Sequence, residues 1–306
     1  MRKYVIIGTG GTGAAIGAYL AKAGFDVTFI ARGDHLRAIR ERGLKIVRPK
    51  DEFVISPCRA MTLEEYKEKA DVIFVCVKGY SLEEVTPHIQ RMADRDTIII
   101  PILNIYGTGA ALQKHFPDCL VTDGCIYVAS EIIEPGCVRM NGDILRVIFG
   151  VRNRSEYRDE LKDIENDLNE SGIMGVLSDN IARDALLKFS YVSAQGACGL
   201  YYDVAAGDIQ RPGEIRDCFA ELVHEIDILA NAMNIHFEED IVKRNLAILD
   251  NLSVNATTSL QRDIKAGGRS EIDGLIYEVV RLAERYGVDL PEYKKVSAKL
   301  KYSDHS

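Results

Sequence analysis

No apolar stretch in these 306 residues is long enough to cross a bilayer, which excludes a helical membrane span. No cluster of lysine and arginine offsets the formal charge of -8, so a nucleic-acid surface is not expected. The seven cysteines are odd in number and form no C-x-x-C pair, a pattern that fits reduced thiols in a cytoplasmic compartment. Cys76, inside an apolar run, reads as a core residue. The six histidines lack metal-ligand spacing, and His305 falls in what reads as a frayed tail. Strand-like sequence begins by Lys3, which leaves no room for a signal peptide. Repeats and low-complexity segments are also missing. What remains is a globular chain, 47% hydrophobic and 27% charged, too long for one small core and therefore expected to form two domains.

The most informative motif comes first. The apolar run Tyr4–Ile7 is followed by Gly8-Thr9-Gly10-Gly11-Thr12-Gly13, then by a helical pattern over 14–23, a turn at Gly24 and a second strand, Asp26–Ile30. This strand–turn–helix order suits a dinucleotide pyrophosphate. The first glycine makes the tight turn and the second lets phosphate approach the backbone. The third lets the helix pack closely on the strand, with its free N–H groups aimed at the anion. At the end of the second strand, where an NAD site places an acid, stands Ala31-Arg32-Gly33. The Arg32 guanidinium matches a 2′-phosphate, which selects NADPH; Asp34 nearby leaves NAD open, and a solvated loop arginine is the plainer alternative.

Alternating strands and helices continue through the first half. Helical patterns cover 37–42, 81–92 and 155–171, and strands cover 44–47, 53–55, 71–77, 97–102 and 173–177. Between 120 and 150 the pattern is β-rich, broken at Pro135-Gly136 and at Asn141-Gly142, the second being a hairpin-turn signal. From about Asp179 the apolar spacing becomes helical, over 181–200, 215–233, 240–249 and 271–286, and Ser178 or Asp179 can cap the incoming helix. The expected fold is α/β: an N-terminal Rossmann-type, doubly wound, mostly parallel sheet over 1–177, and a C-terminal all-α domain over 178–306.

Ligands of open α/β sheets bind at the carboxyl ends of the strands. Lys78 and Asn104 each follow a strand, where a lysine can reach cofactor and an asparagine a carboxamide or substrate oxygen; a surface lysine and a turn asparagine are the alternatives. Lys188 lies in the otherwise apolar helical stretch Ala185–Val192. It either snorkels its ammonium to water or, partly desolvated, protonates a carbonyl oxygen as hydride reaches the carbon. The hydroxyls of Thr257, Thr258 and Ser259 can hold a carboxylate or cap a helix. Glu271 is equally at home as a first-turn acid behind Ser270.

Together these stretches resemble the ketopantoate reductase (2-dehydropantoate 2-reductase) family over nearly the whole chain. The matching segments are Gly8–Gly13, Ala31–Gly33, Val75–Lys78, Leu103-Asn104, Lys188, and Thr258–Asp263 running into Gly267–Asp273. A tail of Val279–Ala283, Gly287-Val288 and Pro291 also fits. The resemblance implies NADPH-dependent reduction of an α-keto acid in the route to pantothenate. It implies a cofactor site at Gly8, Thr9, Gly10, Gly11, Thr12, Gly13, Arg32, Lys78 and Asn104. Lys188 becomes the general acid, Glu271 orients the substrate hydroxyl, Asn104 sits near nicotinamide and substrate, and Ser259 binds the substrate carboxylate.

Departures from the family pattern fall on the substrate side. Asparagines one and two turns after the lysine are replaced by Val192 and Gly196, with Ser193 and Gln195 beside them; Ser193 is the expected substitute contact. The usual Asn-Gly after the third strand is Asn104-Ile105, and the asparagine before the hydroxyls aligns near Ala256, with Asn255 one residue off. The expected partner is therefore a small 2-keto acid, ketopantoate first. A different branched 2-keto acid, another oxidoreductase reaction of the same build, or NADP binding without catalysis are the alternatives. A homodimer through the helical domain is compatible with the sequence, although no apolar stripe marks its face.

Overall fold

The computed structural model describes residues 2–303; His305, expected in a frayed tail, lies outside them. Strand β1 (Lys3–Ile7) is buried from Tyr4 onward and leads through the glycine turn into α1 (Gly11–Lys22). There follow β2 (Asp26–Ile30), α2 (Gly33–Arg42), β3 (Leu44–Val47), β4 (Glu52–Ile55), β5 (Ala60–Met61), β6 (Val72–Val75), α3 (Leu82–Met92), β7 (Ile98–Pro101), α4 (Thr108–Gln113) and β8 (Leu120–Val121). Six of these strands form one parallel sheet, in the order β5-β2-β1-β6-β7-β8. The strand order reverses between β1 and β6, so the crevice beyond their carboxyl ends is the ligand position of a doubly wound sheet.

The second half of this region contains β9 (Asp123–Tyr127), β10 (Ser130–Glu134), β11 (Cys137–Met140), β12 (Arg146–Gly150), α5 (Glu160–Glu170) and β13 (Met174–Leu177). A four-stranded sheet runs β10-β11-β3-β4 and a three-stranded one β13-β12-β9. Helix α1 packs on β1 and β2 from one side and on β10, β11, β3 and β4 from the other. Helices hydrophobic on every side are buried ones, and this placement explains the run Ala14, Ala15, Ile16, Ala18 and Leu20, all fully buried.

One turn differs from expectation. The hairpin is made at Pro135-Gly136, with Gly136 at φ 82, and joins β10 to β11 antiparallel. Asn141-Gly142 carries the chain out of that sheet instead. The other edge of β11 is already taken by β3, so β12 pairs with β9 and β13. The expected helix over 155–171 starts at Glu160, because Asn153 and Glu156 close a separate 3-10 turn, Arg154–Glu156, with a capping box.

Past Leu177-Ser178 the chain is helical: α6 (Ile181–Tyr202), α7 (Ala206–Ile209), α8 (Glu214–Ala232), α9 (Ile241–Asp250), α10 (Ser259–Lys265), a π-helical turn (Asp273–Tyr277), α11 (Glu278–Tyr286) and α12 (Pro291–Ser303). Helix α12, absent from the periodicity reading, buries Tyr293, Val296 and Leu300 along one face. The chain divides into two compact units. One comprises Met1–Leu103 and Gly107–Ile181; the other comprises Asn104–Tyr106 and Ala182–Ser306. The helical unit thus takes three residues from the loop between β7 and α4.

Candidate active site

In the first unit the glycine turn is shaped by contacts that leave no room for side chains. Gly8 has φ +95, and a Cβ there would lie 2.9 Å from the backbone of Cys76 just past β6. A Cβ on Gly13 would run into the Gly8 carbonyl and reach within 2.9 Å of Ile6, so this glycine lets α1 lie against β1. Gly11 faces Ser130, whose carbonyl oxygen would be 2.8 Å from an added Cβ. Gly10 differs: a Cβ on it would meet nothing within 4 Å. It is the N-cap of α1 and offers no side chain to the first-turn N–H groups. An anion approaching Gly10 meets open space and the positive end of a twelve-residue helix. The residues present therefore fit a dinucleotide pyrophosphate.

Thr9, which precedes Gly10, is held from within the turn. It is 4% exposed, and both its donors go to the Ile30 carbonyl: the backbone N–H at 3.1 Å and the hydroxyl at 2.8 Å. It thereby ties the turn to the end of β2. Thr12 sits half-buried in the first turn of α1. Cys76 lies one residue beyond β6 rather than inside a strand; it is half-buried, and burial pushes its thiol upward.

Arg32 is the extended N-cap residue of α2, its side chain 82% exposed and 3.7 Å from Glu84 on α3. Lys78 is half-buried and extended, its carbonyl accepting from Ser81 N–H to close the 3-10 turn Gly79–Ser81. His35, which carried no sequence signal, accepts from the Gly136 N–H at 3.0 Å through Nδ1 and so pins the β10–β11 turn to α2. Burial lowers its pKa, against an opposing contribution from the Thr9 backbone. Asp123, also unflagged, accepts from the first turn of α4 through Gly109 N–H at 2.8 Å. Burial pushes its carboxyl up, and Arg152 draws it back.

The second unit collects Asn104, Lys188, Glu271 and Ser259, residues far apart in sequence. Lys188 is half-buried on α6 between the buried Leu186 and Phe189. Tyr106 sets its ring 6.2 Å from that of Phe189. Ser190 donates to the Leu187 carbonyl and accepts from Asn245, which fixes the helix beside the lysine. Glu271 is 5% exposed, and its carbonyl accepts from Leu275 N–H, so it stands at the head of the helical segment that follows. Side chain Ile105 lies directly over Gly274 in the π-helical turn.

Of the three hydroxyls, Thr258 is the N-cap of α10. It exchanges backbone and side-chain hydrogen bonds with Gln261 in a capping box. Ser259 follows as the first helical residue and stays half-buried. Ser193, expected at the substrate, is instead fully buried. Its hydroxyl contacts the Leu275 carbonyl at 2.6 Å and the hydroxyl of the buried Tyr293 at 2.6 Å. Five residues place it about 140° around the helix from Lys188, facing the core. Val192 is half-buried, while Gly196 and Gly199 seat α10: added Cβ atoms would lie 3.2 Å from Leu260 and 2.6 Å from the Gln261 amide. Among the described residues no acidic, histidine and cysteine group could hold a metal ion, and no helix is long and apolar enough to cross a membrane.

Residues 4–154 match the family described as ketopantoate reductase PanE/ApbA, and residues 180–302 match the C-terminal part of the same family. The chain is similar to a 2-dehydropantoate 2-reductase of Pyrococcus horikoshii, 26% identical over 293 residues, which cover 94% of this chain and 93% of the other. The crystal structure of a 2-dehydropantoate 2-reductase from Porphyromonas gingivalis superposes with a TM-score of 0.83 at 28% identity, covering 98% of this chain and 99% of that one. A D-mandelate dehydrogenase, solved with NADH and anilino(oxo)acetate, superposes with a TM-score of 0.86 at 22% identity, covering 97% and 96%. At that identity the likeness is one of fold.

Proposed function

Since this chain belongs to the ketopantoate reductase family, a family of oxidoreductases, we propose that it reduces a 2-keto acid to the 2-hydroxy acid with NADPH, ketopantoate being the favoured substrate. The observation that carries this reading is the grouping of Asn104, Lys188 and Glu271 in one compact unit, although they lie on three separate stretches of chain. Bound NADPH would supply the hydride. Gly10 and the first turn of α1 would hold its pyrophosphate, Lys78 would reach it from beyond β6, and Arg32 would take the 2′-phosphate. Asn104 would hold the carboxamide and a substrate oxygen.

Lys188 carries its proton as an ammonium and gives it to the carbonyl oxygen while the carbon is reduced. Glu271 accepts a hydrogen bond from the hydroxyl being formed and fixes its orientation. Ser259 donates to the substrate carboxylate from the first turn of α10. Donors fixed before substrate arrives would need little reorganisation as charge moves to the oxygen.

A second reading, reduction of a different branched 2-keto acid, draws on Gly196. A Leu260 methyl would lie 3.2 Å from a Cβ placed there, so an amide at this site would press on the Leu260 side chain. The polar end of ketopantoate would then lack a partner that a less polar keto acid does not need. The test is NADPH oxidation at neutral pH with ketopantoate beside other branched and unbranched 2-keto acids. Saturable turnover of ketopantoate carries the first reading, and turnover only of another keto acid carries the second. NADPH binding without turnover of any of them sinks both in favour of a non-catalytic role.

A further inference from the structure

Gly274 occupies an unusual place for a glycine. It lies inside a helical segment, in the π-helical turn Asp273–Tyr277, where glycine weakens the helix and a backbone of ordinary helical φ has no need of it. π-Helical turns are rare and concentrate at functional sites. What the missing side chain provides here is space, and one residue fills it. An added Cβ would lie 2.5 Å from Ile105 Cδ1, 2.7 Å from Cγ1 and 3.0 Å from Cγ2. Ile105 therefore seats its whole side chain on the bare backbone at Gly274.

Both flanks of this contact carry residues of the candidate site. Asn104 immediately precedes Ile105, and Glu271 stands three residues before Gly274, its carbonyl bonded to Leu275 N–H. The next residue, Tyr106, packs on Phe189 beside Lys188. The segment Asn104–Tyr106 groups with the helical unit, and the Ile105 and Tyr106 side chains both make contacts there.

We propose that Ile105 and Gly274 are positioning residues, a knob and its socket, whose fit sets the distance between Asn104 and Glu271 and so aligns the keto acid for reduction. The proposal rests on the roles given to Asn104 and Glu271 under the proposed function. It extends them by naming what holds the two groups in register.

The experiment compares the full-length protein with Gly274→Ala, Ile105→Ala and the double variant. It measures kcat and KM for the keto acid that the wild type reduces and, separately, NADPH affinity by fluorescence titration. Gly274→Ala is expected to lower kcat/KM for the keto acid about tenfold or more, since misplacing reacting groups by an ångström costs up to about a hundredfold. NADPH affinity should fall by less than kcat/KM does, because the glycine turn at 8–13, which would hold the pyrophosphate, is untouched while Asn104 would reach only the carboxamide. Adding Ile105→Ala to Gly274→Ala should recover activity to the level of Ile105→Ala alone, which a general loss of stability would not do. Wild-type activity in Gly274→Ala, or a double variant no better than Gly274→Ala, overturns the proposal.

Should Gly274→Ala fail to fold, Ile105→Val removes Cδ1, the atom closest to the socket. A drop in kcat/KM larger than any loss of NADPH affinity supports the fit, and no change overturns it. Lys188→Ala in the same assay separates this proposal from its premise. If Lys188→Ala is inactive while Gly274→Ala is normal, the knob and socket alone are wrong. If Lys188→Ala turns over like the wild type, the assigned chemistry fails first and the proposal with it.

Discussion

Glycines recur among the candidate residues of each unit, but they are used in opposite ways. In the first unit, Gly10 opens onto empty space at the head of α1, and Gly8 and Gly13 let backbone fold tightly around that opening. In the helical unit, Gly196, Gly199 and Gly274 are each filled by a side chain, from Leu260, Gln261 and Ile105. The first arrangement leaves room at the head of a helix. The second closes room, so that helices and one borrowed loop pack closely. A substitution on the first side should act on binding, and one on the second on alignment.

The largest expected effect breaks the comparison at its chemical centre. Lys188→Ala should cut keto acid turnover by about a hundredfold or more, the ordinary share of a general acid, while NADPH titration stays near wild type. Equal losses in both would place Lys188 with the cofactor instead. Next come two glycines of one turn. Gly10→Ala should weaken NADPH binding about tenfold with little change in melting temperature, since its Cβ enters only ligand space. Gly13→Ala should destabilise the fold by about 1–3 kcal/mol, since its Cβ meets the Gly8 carbonyl. Identical behaviour of the two variants in thermal melts and NADPH titration would erase the distinction between open and filled glycines.

A smaller effect is expected at the 2′-phosphate. Arg32→Asp should move preference from NADPH towards NADH, and unchanged preference in paired titrations would contradict the reading of the second strand. Glu84→Gln removes the carboxylate 3.7 Å from Arg32 and should tighten NADPH binding about two- to fivefold, in line with an exposed ion pair. The smallest effect on catalysis belongs to Ser193. Ser193→Ala should lower stability by about 1–2 kcal/mol, because Tyr293 and the Leu275 carbonyl lose a buried partner, and leave KM for the keto acid unchanged. A raised KM at unchanged melting temperature would return Ser193 to the substrate.

The same contrast explains what could be read in the sequence. The β1–turn–α1 unit was legible because backbone geometry dictates residue type there: only glycine tolerates φ +95 at Gly8 or the contact at Gly13. The buried parallel strands were legible from unbroken apolar runs. The hydroxyls of Thr9 and Ser193 could not be placed from sequence, because a polar residue near a motif looks alike whether it meets a ligand or a buried carbonyl. Only their partners, the Ile30 and Leu275 carbonyls, distinguish the two. The hairpin signal at Asn141-Gly142 failed because strand pairing is decided by which edge is free, and β3 already occupies that edge of β11. The grouping of Asn104–Tyr106 with the helical chain from Ala182 onward rests on long-range packing, for which short sequence patterns hold no record.

That grouping also bears on how the chain can be made and cut. A ribosome releases Ile105 and Tyr106 well before Phe189 and Gly274 exist, so these two side chains must wait for their seats until late in synthesis. A fragment begun at Ala182 would leave the Gly274 seat vacant and the Phe189 ring without its Tyr106 neighbour. The two units are therefore unequal as pieces for dissection or swapping. A graft of the helical part is complete only when it carries three residues from the middle of the other.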